Sequence, residues 1–213
     1  EAAAPLATGN ERILVVDDNQ EISRDFVTIL GGDRSAQDFS KLASDLLGKP
    51  APPVGPRFEV DTALQGEEGF TRVKEALKTD SPYAVAFVDL RLPPGWDGVK
   101  TIKKMWEADP ELQCVIITAY SDYTWEEILD QLGVTDRLLI LKKPFESIEI
   151  RQLAGALAKK WNLNRLAVKI AKEQANANIE LKKEISKRKL TEKILQEYQL
   201  AMEGSDDMIA SID

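Results

Sequence analysis

Tyr83-Ala84-Val85-Ala86-Phe87-Val88-Asp89 is the stretch on which the reading of the fold turns. A short, unbroken apolar run closed by an acid predicts a strand buried on both faces, with a functional group at its end. Three more runs end the same way. Ile13-Leu14-Val15-Val16 leads to Asp17-Asp18, Cys114-Val115-Ile116-Ile117 to Thr118, and Leu138-Leu139-Ile140-Leu141 to Lys143-Pro144. In an open parallel sheet the carboxyl ends of the strands share one edge, and ligands bind in the crevice there. Three carboxylates, a hydroxyl and an ammonium are therefore expected to meet in one place. Such a set suits a divalent cation and the transfer of a phosphoryl group to a carboxylate.

Between these runs lie amphipathic segments. The first helix is expected from about Asn19, with Ile22, Phe26, Ile29 and Leu30 on its apolar face. The second carries Phe70, Val73 and Leu77, and the third Val99, Ile102 and Trp106. The fourth opens on a Thr124/Glu127 capping box and carries Trp125, Ile128, Leu129 and Leu132. The fifth carries Ile150, Leu153, Ala154 and Leu157. With strands near 12–17, 58–62, 83–89, 113–118 and 137–142, the alternation is (βα)5, an α/β class with a parallel sheet.

The bulk numbers narrow the function. A chain of 213 residues accommodates one ordinary domain plus an appendage. A net charge of −8 speaks against binding nucleic acid through bulk charge. No apolar run reaches the length of a membrane span, and the first residues lack the form of a signal peptide, so a cytoplasmic location is expected. Cys114, the single cysteine, reads as a buried hydrophobe and rules out a disulfide framework within this sequence. The sequence contains no histidine, so neither an imidazole base nor a phosphohistidine is available within it.

The domain plan has four parts. Residues 1–10 read as a disordered lead-in. Residues 11–160 form the α/β domain, with an insertion at 31–57 that holds a short helix and a proline-rich return. That insertion is either a surface elaboration or a docking surface. From 161 to 202 glycine and proline are absent, and Leu163, Leu166, Ile170, Ala177, Leu181 and Ile185 recur near heptad spacing. Leu190, Ile194, Tyr198 and Ala201 continue the pattern after a slip in phase. Nine basic and six acidic side chains between Arg165 and Glu203 give a net +3 of mixed sign, which suits the flanks of a coiled coil. A parallel homodimer through 163–201 is expected; a single solvated helix, or one folded back on the domain, is the alternative. Residues 203–213 read as a helix stop at Gly204, a polar turn and the start of a strand belonging to a further domain.

Val15-Val16-Asp17-Asp18-Asn19, Val88-Asp89-Leu90-Arg91-Leu92-Pro93, Thr118-Ala119 and Lys143-Pro144-Phe145 together resemble the receiver domain of two-component response regulators. The resemblance covers about residues 11–160. It implies a flavodoxin-like sheet of order 2-1-3-4-5, with Asp89 as phosphoacceptor from the phosphohistidine of a kinase or phosphotransfer protein. It further implies Mg²⁺, or alternatively Mn²⁺, held by Asp17 or Asp18, Asp89 and the backbone carbonyl of Arg91. Thr118 and Lys143 would sense the phosphate, and the Lys143–Pro144 peptide would be cis.

The chain departs from the family pattern in three places. The insertion is long. The loop Pro93-Pro94-Gly95-Trp96-Asp97-Gly98 is one residue longer than usual. Ile140 stands where the family carries a switch aromatic, which leaves Tyr120 and Tyr123 as substitutes. Residues 184–207 resemble the coiled linker preceding PAS domains, and residues 200–213 a PAS start, which implies a diguanylate cyclase or histidine kinase output.

Two other functions fit parts of the pattern. A haloacid-dehalogenase-like phosphatase would also use Asp89 as nucleophile, but it would place an aspartate where this chain has Arg91. A pseudo-receiver would only dimerise, and would not need the acids and Lys143. The expectation is a phosphoacceptor and not an enzyme.

Overall fold

The structure is a computed structural model that describes residues 9–32, 57–119 and 125–210. Five parallel strands form one sheet: β1 (Arg12–Val16), β2 (Glu59–Ala63), β3 (Val85–Asp89), β4 (Gln113–Thr118) and β5 (Leu138–Lys142). Their order is β2-β1-β3-β4-β5, a flavodoxin-like sheet. The helices are α1 (Gln20–Gly31), α2 (Gly66–Lys78), α3 (Gly98–Ala108), α4 (Trp125–Leu132) and α5 (Ser147–Ala210).

Side chains alternate across the pleat, so each strand feeds two cores. Leu14, Val16, Ala86, Val88, Cys114 and Ile116 face a cluster completed by residues of α2, α3 and α4. Ile13, Val15, Val85, Phe87, Val115 and Ile117 face another, completed by α1 and the first part of α5. This two-sided burial is why β3 and β4 are apolar runs with no polar alternation. On the second face the Phe26 ring lies 5.0 Å from that of Phe87 and 5.7 Å from that of Phe145, tying α1 to the turn after Lys143-Pro144.

α1 starts where expected because Asn19 caps it, its side chain accepting from the Glu21 amide at 2.9 Å. Asp18 is therefore not the cap and remains available to the crevice. Trp106 packs beside the first core and donates its Nε1–H to the Leu112 carbonyl at 2.9 Å, while Trp161 is buried in the second.

Residues 1–8 of the expected lead-in lie outside the described residues. Asn10 is held in place: its amide donates to Asn162 Oδ1 at 2.7 Å while Asn162 Nδ2 donates to the Asn10 carbonyl at 3.0 Å. α5 is continuous through Asn162-Leu163-Asn164, and it runs on through Gly204 to Ala210 in place of the helix stop expected at Gly204. A lone glycine inside a helix costs only about 1 kcal/mol, too little to end a helix flanked by good formers. Residues 33–56, which hold most of the insertion, lie outside the described residues, as do Tyr120, Tyr123 and Thr124.

The molecule divides into two units, residues 1–164 and 165–213. In the second, Leu166, Ile170, Leu181, Ile185, Leu190 and Ile194 are all exposed. No helix among the described residues is long and apolar enough to cross a membrane.

Candidate phosphoacceptor site

Strand register assembles the site. Val16 pairs with Val88 across β1 and β3, which sets Asp17 beside Asp89. Asp89 pairs with Ile117, and Thr118 pairs with Lys142, so the hydroxyl and Lys143 arrive at the same edge. Asp17 and Asp89 continue the alternation of Ile13 and Val15, and of Val85 and Phe87, so both carboxylates lean to the α1/α5 side of the sheet. The chain crosses from one face to the other between β1 and β3, the point at which open α/β sheets leave a binding crevice.

An open crevice of about 820 Å³ lies there, lined among others by Asp18, Asp89, Arg91, Pro94, Asp97 and Lys143. Asp17 is fully buried behind it, Asp89 is 7% exposed and Asp18 is exposed. One carboxylate oxygen from each comes within 4.8 Å of the other two. This all-oxygen donor set fits a hard divalent cation such as Mg²⁺.

Lys143 answers the negative charge. Its Nζ lies 3.1 Å from Asp17 Oδ2 and also hydrogen-bonds Asp89 Oδ2. Asp17 Oδ1 accepts from the Asn19 amide at 2.8 Å, and Asp89 Oδ1 from the Arg91 amide at 3.2 Å. Burial pushes the Asp17 carboxyl up to about 6; the Asp89 charge pushes the same way, against the Asn19 amide and Lys143. Desolvation alone would lower the pKa of Lys143, but the contacts with Asp89 and Asp17 outweigh it and hold it above its usual range. The ammonium therefore stays charged at neutral pH.

Thr118 is buried at the end of β4, next to the crevice-lining Ala119, and its hydroxyl donates to the Ala119 carbonyl at 2.9 Å. The Lys143–Pro144 peptide is cis, and so is Pro93–Pro94, which no sequence signal singled out. Ile140 packs beside the α2/α3/α4 core, where it offers no ring and no hydroxyl to the site.

Sequence reasoning missed Gly98. Its amide donates to the Leu90 carbonyl at 2.9 Å, and a Cβ there would sit 2.3 Å from the Asp89 carbonyl oxygen. Only glycine lets α3 start this close to the end of β3. The Asp97-Gly98 pair was the available signal, with Asp97 as N-cap accepting from the Lys100 amide at 2.7 Å.

No protein-family model and no curated protein matches the sequence. Solved structures do. An adenylate cyclase from Rhodopirellula baltica is 24% identical, with 76% of this chain and 98% of that one covered, at a TM-score of 0.55. A two-component transcriptional regulator AraC from Clostridium phytofermentans is 20% identical over 73% of this chain and 98% of its own, at 0.52. A response regulator receiver domain protein from Clostridium thermocellum is 17% identical over 71% and 97%, at 0.50. The chain has the receiver fold. At these identities the likeness speaks for architecture alone, and the chemistry rests on the side chains above.

Proposed function

We propose that this chain is a phosphoacceptor module of a two-component signalling protein, with Asp89 as the acceptor. One observation carries the reading. A carboxylate at the end of the central strand opens onto a crevice, with two further acids clustered on it and a charged lysine bridging it to one of them. An Asp89 oxygen attacks phosphorus in a phosphohistidine of the partner kinase or phosphotransfer protein. The P–N bond breaks, and its electron pair leaves on the imidazole nitrogen. The product is an acyl phosphate.

Two anions repel, so the step needs positive charge. Asp17, Asp18, Asp89 and the Arg91 carbonyl would hold Mg²⁺, or Mn²⁺ in its place, and the ion supplies charge neutralisation. Lys143 supplies a second cation, and the Thr118 hydroxyl, turned from Ala119, a donor to a phosphoryl oxygen. The position two residues after Asp89 is Arg91, which has no acid/base function to offer a phosphatase cycle, so the chain holds the phosphoryl group and does not turn it over rapidly. The exposed apolar positions of α5 beyond residue 163 favour a parallel homodimer of this helix, which conveys the state of the site toward a PAS or other output region.

Acetyl phosphate with Mg²⁺, read by intact mass, tests the proposal. A single stable phosphate adduct that disappears in Asp89→Asn is the expected result. Rapid turnover without an adduct favours the phosphatase, and no adduct in the wild-type protein favours a phosphate-independent dimerisation module.

A further inference from the structure

The long loop between β3 and α3 lines much of the crevice, and its anchor lies outside the site. Glu67, in the first turn of α2, accepts the Trp96 amide with both carboxylate oxygens, at 3.2 and 3.3 Å. An acid at that helix position ordinarily serves the helix dipole or caps its own amides. Here Glu68 does that work, accepting the Leu64 amide at 2.9 Å and pairing with Arg72 at 2.9 Å. Glu67 is thereby released to the loop, and it is half-buried there.

The loop is shaped to receive it. A Cβ on Gly95 would lie 2.3 Å from Glu67 Oε2, so the carboxylate occupies the space that glycine leaves. The Trp96 side chain seats the loop as well. Its ring lies 5.7 Å from that of Phe70 on α2, and the Lys100 ammonium of α3 lies 5.2 Å from its centroid. From this anchor the chain runs back along the crevice through Gly95, Pro94 and Arg91 to Asp89.

We infer that Glu67 is a positioning residue for the Asp89 site: by holding Trp96 and filling the space at Gly95, it fixes the β3–α3 loop and with it the Arg91 backbone, whose carbonyl would help hold the cation. The inference rests on the proposed reading of Asp89 as a Mg²⁺-dependent phosphoacceptor. Small errors of placement at a reacting centre are costly, so a loosened wall should be visible in both binding and rate.

The measurements are the Mg²⁺ dissociation constant by calorimetric titration and the phosphorylation rate with acetyl phosphate at saturating Mg²⁺. Glu67→Ala should weaken Mg²⁺ and slow phosphorylation, each roughly tenfold. Glu67→Gln, which keeps an acceptor and drops the charge, should recover most of both. Gly95→Ala keeps the Glu67 charge yet displaces its carboxylate, a flexible side-chain end, so the fold should survive and the defect should match that of Glu67→Ala. In the Glu67→Ala background, Gly95→Ala should cost nothing further. Wild-type behaviour in Glu67→Ala, equal defects in Glu67→Ala and Glu67→Gln, or full additivity with Gly95→Ala would each overturn the inference. A wild-type protein that binds Mg²⁺ but takes no phosphate would overturn the reading of Asp89 and leave the Mg²⁺ comparison to decide Glu67; one that binds no Mg²⁺ would overturn both.

Discussion

Lys143 Nζ stands 3.1 Å from Asp17 Oδ2, although the two residues are 126 positions apart in sequence. Their strands are not neighbours either, since β3 and β4 lie between β1 and β5. The lysine therefore spans the carboxyl edge of the sheet and touches Asp89 on the way. In doing so it neutralises part of a charge cluster that burial makes costly.

Removing that cation should leave the acids facing each other. Lys143→Ala is expected to lose about 1–3 kcal/mol of stability at pH 7 without metal, because charged groups lose their hydrogen-bond partner. Added Mg²⁺ should restore part of the loss. Urea titrations of both proteins, with and without Mg²⁺, check this. Equal midpoints in the metal-free pair would show that the bridge contributes nothing.

Asp17 gives the site a pH dependence. Its folded carboxyl titrates near 6, above its ordinary value of 3.8, so the folded protein holds a proton that the unfolded chain has released between those values. The Asp17 contribution to metal-free stability is therefore fully present below the unfolded value and is lost as pH rises through about 6. Metal binding runs the other way, because the ligand must be ionised. The Mg²⁺ dissociation constant should be flat above about pH 6 and rise below it, approaching about tenfold per pH unit for one displaced proton. Titration at pH 5, 6, 7 and 8 reads the slope, and a dissociation constant that is constant across this range would contradict the burial of Asp17.

Asp18 is the exposed acid of the cluster and does not cap α1. Replacing it by alanine removes a hard anionic ligand without opening the core. Mg²⁺ affinity should fall by at least roughly tenfold while the fold persists. Calorimetric titration decides it, and affinity equal to wild type would exclude Asp18 as a ligand.

Gly98→Ala introduces a methyl group 2.3 Å from the Asp89 carbonyl oxygen, where backbone must move. A loss of roughly 1–3 kcal/mol is expected from overpacking. Because the displaced atoms belong to Asp89 and Leu90, phosphorylation should slow as well. Thermal unfolding and the acetyl phosphate rate measure the two effects.

The exposed seam of α5 predicts self-association. Leu166→Asn with Ile170→Asn should weaken a dimer by well over roughly tenfold, because apolar side chains in a coiled-coil seam supply most of its stability. Sedimentation equilibrium across a concentration series gives the answer. A wild-type protein that stays monomeric throughout would remove the dimeric-helix reading and leave the α/β unit untouched.

Much of this molecule was written in short-range pattern. Ile13–Val16, Val85–Val88 and Cys114–Ile117 are strands because a segment buried on both faces has no polar alternation, and Asn19 starts α1 because its side chain reaches the nearby Glu21 amide. The acids, Thr118 and Lys143 followed, since parallel strands place their ends on one edge. Local signals misjudged Gly204, where the helix continues, and carried no trace of the bond that holds Asn10 to a residue far along the chain. Tertiary structure alone decided which of two adjacent aspartates is buried, because that depends on the register that sets Asp17 beside Asp89. It alone set Gly98 against the Asp89 carbonyl and Glu67 against Trp96, contacts of van der Waals and hydrogen-bond reach between segments whose spacing no local periodicity encodes.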